Sequence, residues 1–572
     1  MKNWLGNKIK EFYPDVDFDV LMPPDERLGD YSVNLPFVLA KKNKKNPLDM
    51  GKEIIKKLTQ DKEFQQYFSK IEFAGSGFIN FYLADEFLWK QLLEIHRNRD
   101  LFGKSKEGNG KTIIVEYSSP NIAKPMHIGH LRSTIIGDAL ANVYEELGYK
   151  VIRWNYVGDW GTAIGKLIVA YKDLKDRIGK DGADEQFFGS DTTLGMMGNY
   201  VRYHEVYQDD DKARVEFKKL ENGNKENVDL WKKIRKISLQ ELGILIYPSI
   251  GVDSKNMEFK GESDYEPELK SLIDGLISKG IAKESEGALI IELENLQPAL
   301  LRKSDGATLY MTRDIASLED RVKNYNPAKI LYVVANQQTL HFQQLFAVAH
   351  KLNFNDPELV HVKFGMVLGE DGKKLATREG KVVPLLDVVN KIQEKARGLV
   401  KQVKLVNEEF NDDQAREIAK AVGIAALKYN DLSQHPYSDI TFDWDAMLDF
   451  RGNSGPYLQY TYARLMSIIR QVDKIDDGDT GLLIEPTEIK IMKKLLDFPD
   501  VVIECSRLYT LNALALYLYE LASASNQFYE KVRVIQDKNI KRRNARLLLI
   551  EATATVLKRG LNLLGIKVLE RI

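Results

Sequence analysis

Residues 112–148, TIIVEYSSPNIAKPMHIGHLRSTIIGDALANVYEELG, constrain this chain more than any other stretch. Thr112 to Tyr117 is a β-branched, apolar run of strand length, and Ser118 to Pro125 is rich in turn formers. From about Gly129, the residues Leu131, Ile135, Leu140, Val143 and Leu147 recur at helical spacing, and Gly148 stands where a helix closes. Val151 to Val157 then reads as a second strand. A strand–loop–helix–strand unit predicts a parallel sheet. It also places the loop at the carboxyl ends of the strands, where open α/β sheets bind ligands.

Inside that loop lie His127-Ile128-Gly129-His130. Two imidazoles three residues apart in a first helical turn can face one ligand. Gly129 leaves its backbone open to a flat ring, and a helix N-terminus favours anions. Those properties suit adenine and a triphosphate. The plain alternative is a helix start that happens to carry two histidines. The longer run VEYSSPNIAKPMHIGHLRS separates the two, because it resembles the signature of the arginyl-tRNA synthetases, a family of class I aminoacyl-tRNA synthetases.

At 572 residues the chain is too long for one core and should split into two to four domains. Its single cysteine, Cys505, excludes an internal disulfide or a multi-cysteine zinc site and fits a reducing, cytoplasmic setting. The first residues lack the apolar core of a signal peptide, and no run of membrane-spanning length is free of polar residues, so no membrane span is expected. Net charge is −1, yet residues 531–572 hold eleven Lys or Arg against three Asp or Glu. Such an imbalance is compatible with nucleic acid at that end; a solvated helix face is the alternative.

Along the chain, residues 1–106 read as an N-terminal α+β module. GDYSVNLPF and FAGSGFINFYL resemble the N-terminal domain of the same family, whose members use it on the tRNA D-loop, with Asn34 and Phe37 at matching positions. Core packing is the other reading of Phe37. Gly110-Lys111-Thr112 is no P-loop, because Ser105 stands where the first glycine belongs and a strand follows instead of preceding it. Residues 107–395 read as a split Rossmann-like catalytic domain with a parallel sheet, interrupted by a charge-rich helical insertion at about 172–260. Its second half returns near Leu289 with the strand-like LIIEL, and His204 in the insertion reads as structural. Residues 396–572 alternate long amphipathic segments with short connections and predict an α-helical bundle. SDITFDWDAMLDFRGNSGPYLQYTYAR and LLGIKVLERI resemble the family's anticodon-binding domain; Tyr457, Tyr460 and Tyr462 could stack on bases or fill the core.

Further candidates lie at predicted strand ends. Glu116 closes the first strand, with Ser118 and Asn121 in the loop beyond it. Tyr310 and Asp314 share one face of a helix start. Gln338 and His341 follow the strand Ile330 to Val334. A guanidinium offers a planar fork of donors that carboxylates take in pairs, and Asp314 is the leading candidate partner. Lys374, in DGKKLATREG, occupies the place of the first lysine of the class I KMSKS loop, while Thr377 replaces the second.

The resemblance covers nearly the whole chain. It implies an arginine–tRNA ligase that activates L-arginine with ATP, Mg²⁺ accompanying the nucleotide, and transfers it to arginine tRNA. It implies no tightly bound metal or organic cofactor. Glu116, Ser118, Asn121, His127, Tyr310, Asp314 and Gln338 would hold arginine. His127, Gly129, His130, His341, Met366, Val367 and Lys374 would hold ATP. Lys124, just ahead of the histidines, would compensate for the degenerate lysine loop, so that Lys124, His127, His130 and Lys374 carry the chemistry. A monomer is expected. Two other classes stay open: an HxGH-type nucleotidyltransferase acting without tRNA, which has no need of the flanking domains, and a non-catalytic tRNA-binding relative, which has no need of an intact pocket.

Overall fold

The structure is a computed structural model that describes all residues except 76, 100, 190–193, 208, 305, 307, 355, 370, 374, 376–382, 403–409, 473, 476 and 477. At the N-terminus an antiparallel sheet of Val20–Leu21, Tyr31–Val33, Phe78–Leu83 and Phe68–Ala74, in that spatial order, packs with helices such as Pro47–Leu58. That helix starts where it does because Pro47 fits the first turn and the Asn46 side chain accepts from the Leu48 N–H. Met50, Ile54 and Leu58 then fall on its buried face.

The central sheet is built from β1 (Thr112–Glu116), β2 (Lys150–Val157), β3 (Met257–Gly261), β4 (Lys329–Ala335) and β5 (Glu358–Phe364). All neighbours are parallel, in the order β5–β4–β1–β2–β3. The chain therefore builds outward from β1 in one direction, then returns to build from β4 in the other, leaving a crevice above the β1–β4 boundary. The period-two alternation of β1 sorts its side chains between two cores. Ile113 and Val115 join the main core, and Ile114 joins the one on the opposite face.

Helix α1 (Ile128–Glu146) follows β1 and is buried on nearly every side, because the sheet covers one face and the C-terminal helices cover the other. Two differences from the sequence reading concern strands. The segment Met257–Gly261, expected at the end of the helical insertion, is the edge strand β3 of the central sheet. It is short and carries Glu258 and Lys260, so no apolar run announces it; pairing with β2 makes it a strand. LIIEL does not belong to the central sheet. Ala288–Ile291 pairs antiparallel with Lys283–Ser285 and Ala299–Arg302 in a separate three-stranded sheet. Its hairpin turns at Glu286 and Gly287, both at positive φ (51 and 77), as a two-residue turn between twisted strands demands.

The insertion is helical over Thr162–Phe188, Leu194–Val206, Asp211–Glu221 and Lys225–Glu241. Helix α2 (Tyr310–Tyr325) precedes β4, and α3 (Thr339–Lys351) follows it. Beyond β5, the helix α4 (Leu385–Gln402) runs across residue 395, and α5 (Asp412–Leu432) packs along it. The bundle continues with Gly455–Ile469, Pro486–Leu508, Asn512–Lys531 and Ile540–Leu563. Among the described residues, no helix is long and apolar enough to cross a membrane.

Candidate active site

The start of α1 after the turn from β1 is fixed by hydrogen bonds from backbone N–H groups to the two imidazoles. His127 is the N-cap of α1, and its Nδ1 accepts from the Gly129 N–H at 3.1 Å. His130 answers reciprocally, its Nδ1 accepting from the His127 N–H at 3.2 Å. Each imidazole thus uses Nδ1 as an acceptor, which leaves the proton of the neutral ring on Nε2 as a donor. The rings lie 4.0 Å apart. Burial, together with the charge of His127, pulls His130 down to about 3, so this ring is neutral at any physiological pH. Gly129 is required by this packing, since a Cβ there would come within 2.9 Å of the His127 ring. Lys124 reaches towards the insertion, with Nζ 5.9 Å from the Tyr200 ring centre. His204, read as structural, meets the Tyr200 and Tyr203 rings edge to face.

A second cluster gathers at the ends of β1, β3 and β4 and on α2. Glu116 is buried and ion-paired with Arg321, which is itself only 1 % exposed. Burial raises the Glu116 carboxyl; Arg321 opposes the rise and Asp314 adds to it. Asp314 accepts from His341 Nε2 at 2.6 Å. Burial alone would lower His341, but the hydrogen bond to Asp314 and the charges of Asp314 and Glu116 outweigh it and raise its pKa. Tyr310, one turn before Asp314, is largely exposed at the helix start.

Two further members were not read from the sequence. Glu262, just after β3, is pushed up to about 8 by burial, with Asp314 and two other carboxylates adding to the effect and Arg313 opposing it. Its Oε2 is buried without a hydrogen-bond partner among the described residues. Its position is set by the preceding glycine: a Cβ at Gly261 would sit 2.1 Å from the Asp159 carboxylate, which itself accepts from Ser263 and Arg235. The Arg321 guanidinium lies 4.7 Å from the Trp154 ring centre, 5.4 Å from that of Tyr332 and 5.9 Å from that of Tyr156. Recognition of Glu262 required recognition of β3. The trace of Arg321 is fainter, a cation two helical turns after Asp314 on the same face of α2.

The other expected residues occupy these places. Ser118 is buried at φ 70; its hydroxyl hydrogen-bonds with that of Tyr247 at 2.8 Å. Asn121 bridges to Gly158 at the end of β2, and its side chain accepts from the Ala123 N–H. Gln338 is exposed at the head of α3. His341, expected with ATP, is bonded to Asp314 in the acidic cluster. Met366 follows β5, and Val367 opens a short strand, Val367–Leu368, that pairs in parallel with Ile440–Thr441. Lys374 lies outside the described residues. At the N-terminus, Asn34 exchanges two hydrogen bonds of 2.8 Å with Asp19, and Phe37 is 52 % exposed, which excludes it from the core. In the bundle, Tyr462 is core, whereas Tyr460 lines a cleft of about 760 Å³ with Arg464, Tyr529 and the C-terminal Ile572.

A five-stranded parallel sheet whose order reverses beside a histidine-bearing helix start defines a nucleotide-binding α/β fold of the class I synthetase type. Residues 91–444 match the family model described as tRNA synthetases class I (R), catalytic domain. Residues 1–83 match the arginyl tRNA synthetase N terminal domain, and 458–572 the DALR anticodon binding domain. The chain belongs to the arginyl-tRNA synthetase family. It is 39% identical to the arginine–tRNA ligase of Halothermothrix orenii, over 97% of this chain and 96% of that protein. Identity is also 39% to the arginine–tRNA ligase of Crocosphaera subtropica, over 99% and 97%. The crystal structure of arginyl-tRNA synthetase from Plasmodium falciparum superposes with a TM-score of 0.81 at 27% identity, covering 100% of this chain and 98% of that one.

Proposed function

We propose that this chain is an arginine–tRNA ligase that works in two steps at the crevice between β1 and β4. The carboxylate of L-arginine attacks the α-phosphorus of ATP; an O–P bond forms, the bond to the departing pyrophosphate breaks, and arginyl-adenylate results. A hydroxyl of the terminal tRNA ribose then attacks the adenylate carbonyl and releases AMP. The observation that carries this reading is the acidic cluster of buried Glu116 with half-buried Asp314 and Glu262, set at the same strand ends as the paired Nε2 donors of His127 and His130.

Arginine takes the acidic cluster, with its guanidinium on Asp314 and Glu262 beneath Tyr310. Ser118, Asn121, His127 and Gln338 meet its backbone end, and Glu116, held by Arg321, sets the charge at the floor. Lysine, a point charge, would leave one of the paired acceptors unmatched. His127 and His130 donate to phosphate oxygens as negative charge develops there, Gly129 lies under the adenine with Met366 and Val367, and Lys124 and Lys374 steady the pyrophosphate. His341 leaves Asp314 when the guanidinium arrives and turns to the nucleotide. Mg²⁺ enters on the triphosphate, bound mainly by phosphates and water.

For tRNA, residues 1–106 serve the D-loop, with the exposed Phe37 ring beside Asn34 as the contact. The bundle serves the anticodon. There Arg464 lies 5.1 Å from the ring centre of Tyr460 and 4.9 Å from that of Tyr529, a platform that suits unpaired bases. A cytoplasmic monomer whose arginine activation requires tRNA completes the reading. The test is charging of arginine tRNA with labelled arginine: the wild type should charge, and His130→Ala should bind tRNA as tightly yet charge on the order of 100-fold more slowly. Wild-type protein that binds the tRNA without charging it would overturn the proposal.

A further inference from the structure

Arg132 lies one turn inside α1 and is fully buried. Every arm of its guanidinium is engaged. Nε donates to Oδ1 and Oδ2 of Asp431 at 3.1 and 3.0 Å, and Nη2 to Oδ1 at 2.9 Å. Nη2 also donates to the Pro436 carbonyl at 3.2 Å and Nη1 to that of Ser438 at 2.8 Å. The Phe364 ring, at the end of β5, lies 5.7 Å from the guanidinium carbon.

The segment that Arg132 grips has a second attachment. The Pro436 carbonyl accepts from the Gly365 N–H at 3.0 Å, and the Ile440 N–H donates to the Met366 carbonyl at 2.9 Å. Asp439 accepts from the Met366 N–H at 2.6 Å. A Cβ at Gly365 would lie 2.7 Å from the Ser438 carbonyl, so only glycine allows so close an approach. Residues 436–441 are thus clamped between the helix that begins at the histidines and the segment of Met366 and Val367.

Stability alone does not call for this arrangement, because a buried ion pair can be exchanged for apolar side chains of similar volume without loss. The seam between α1 and α5 has another fastening as well: Lys428 Nζ lies 3.8 Å from Asp138 and donates to the carbonyls of Gly251 and Gly565. What apolar side chains cannot supply is a planar fork that fixes two carbonyls and a carboxylate at once. We infer that Arg132 is a positioning residue that holds the Met366–Val367 segment in register with the HxGH helix, so that both face one nucleotide. This rests on the reading of Met366 and Val367 as contacts to ATP.

The test is arginine-dependent ATP–pyrophosphate exchange with arginine tRNA present, on Arg132→Met/Asp431→Leu and on Arg132→Lys. The double variant should melt close to wild type and keep its arginine KM, while kcat/KM for ATP falls on the order of 100-fold. Arg132→Lys retains the charge without the fork and should fall between. Unchanged kcat/KM for ATP in a folded double variant overturns the inference, as do equal losses towards both substrates. Should the double variant fail to fold, Arg132→Lys decides by the same readout. Met366→Ala separates this from the underlying reading. If its ATP KM is unchanged, the segment is no nucleotide contact; if it responds while the Arg132 variants do not, the inference about Arg132 alone fails.

Discussion

Asp314 and Glu262 are two carboxylates with different partners. Asp314 is already bonded to His341. Asp314→Asn keeps the shape and removes the charge, and should raise the arginine KM about 10- to 100-fold with a smaller change in kcat; saturation curves in arginine check this. Glu262 has a folded-state pKa raised to about 8 by burial. The fold therefore favours its neutral form. That stabilisation is complete below the ordinary carboxylate range and is lost as pH rises through about 8. Glu262→Gln, a mimic of the neutral acid, should melt with the wild type at about pH 4 and increasingly above it as pH rises to about 8. Arginine has the opposite preference, because a guanidinium favours the ionised carboxylate. The wild-type arginine KM should fall as pH rises towards 8, and fall less in Glu262→Gln. Protonated His341 competes with the substrate for Asp314 and gives the same sign.

Helix α1 lies so close to the end of β1 that a Cβ at Gly137 would come within 2.2 Å of Tyr117 Cβ. Gly137→Ala should cost about 1–3 kcal/mol, seen as a lower melting temperature, because neither backbone can retreat. Phe37 gives the contrary case: with its ring exposed, Phe37→Ala should leave the melting curve alone and weaken tRNA binding, measured by filter retention. At this scale local pattern was a sound guide wherever an element carries its own signal. The β1–α1 unit stands in the sequence nearly residue for residue, down to Gly148 at φ 82 past the end of the helix. β3 was not legible, since its five residues become a strand through pairing with β2. The invisibility of Glu262 follows from that. The partners of Glu116 and Asp314 were also hidden, because Arg321 and His341 reach them through tertiary packing and not through spacing in the chain.

Across the whole molecule, one core runs from the N-terminal sheet through one face of the parallel sheet into the helical bundle. Polar ties cross the same boundaries. The N-terminal ammonium bonds Asp500 at 2.7 Å, Tyr31 bonds Asp497, and Arg132 and Asp138 of α1 face Asp431 and Lys428 of α5. Sequence pattern could name three kinds of region, but these ties bind residues hundreds of positions apart, and only the folded chain brings them together. On the proposed function, this assembly serves to activate arginine at the acidic cluster beside His127 and His130. The most direct test is ATP–pyrophosphate exchange with arginine tRNA present, comparing arginine with lysine. Exchange that depends on arginine and is absent with lysine at the same concentration is the predicted result. Exchange supported equally by lysine, or none from folded protein that binds the tRNA, would contradict it.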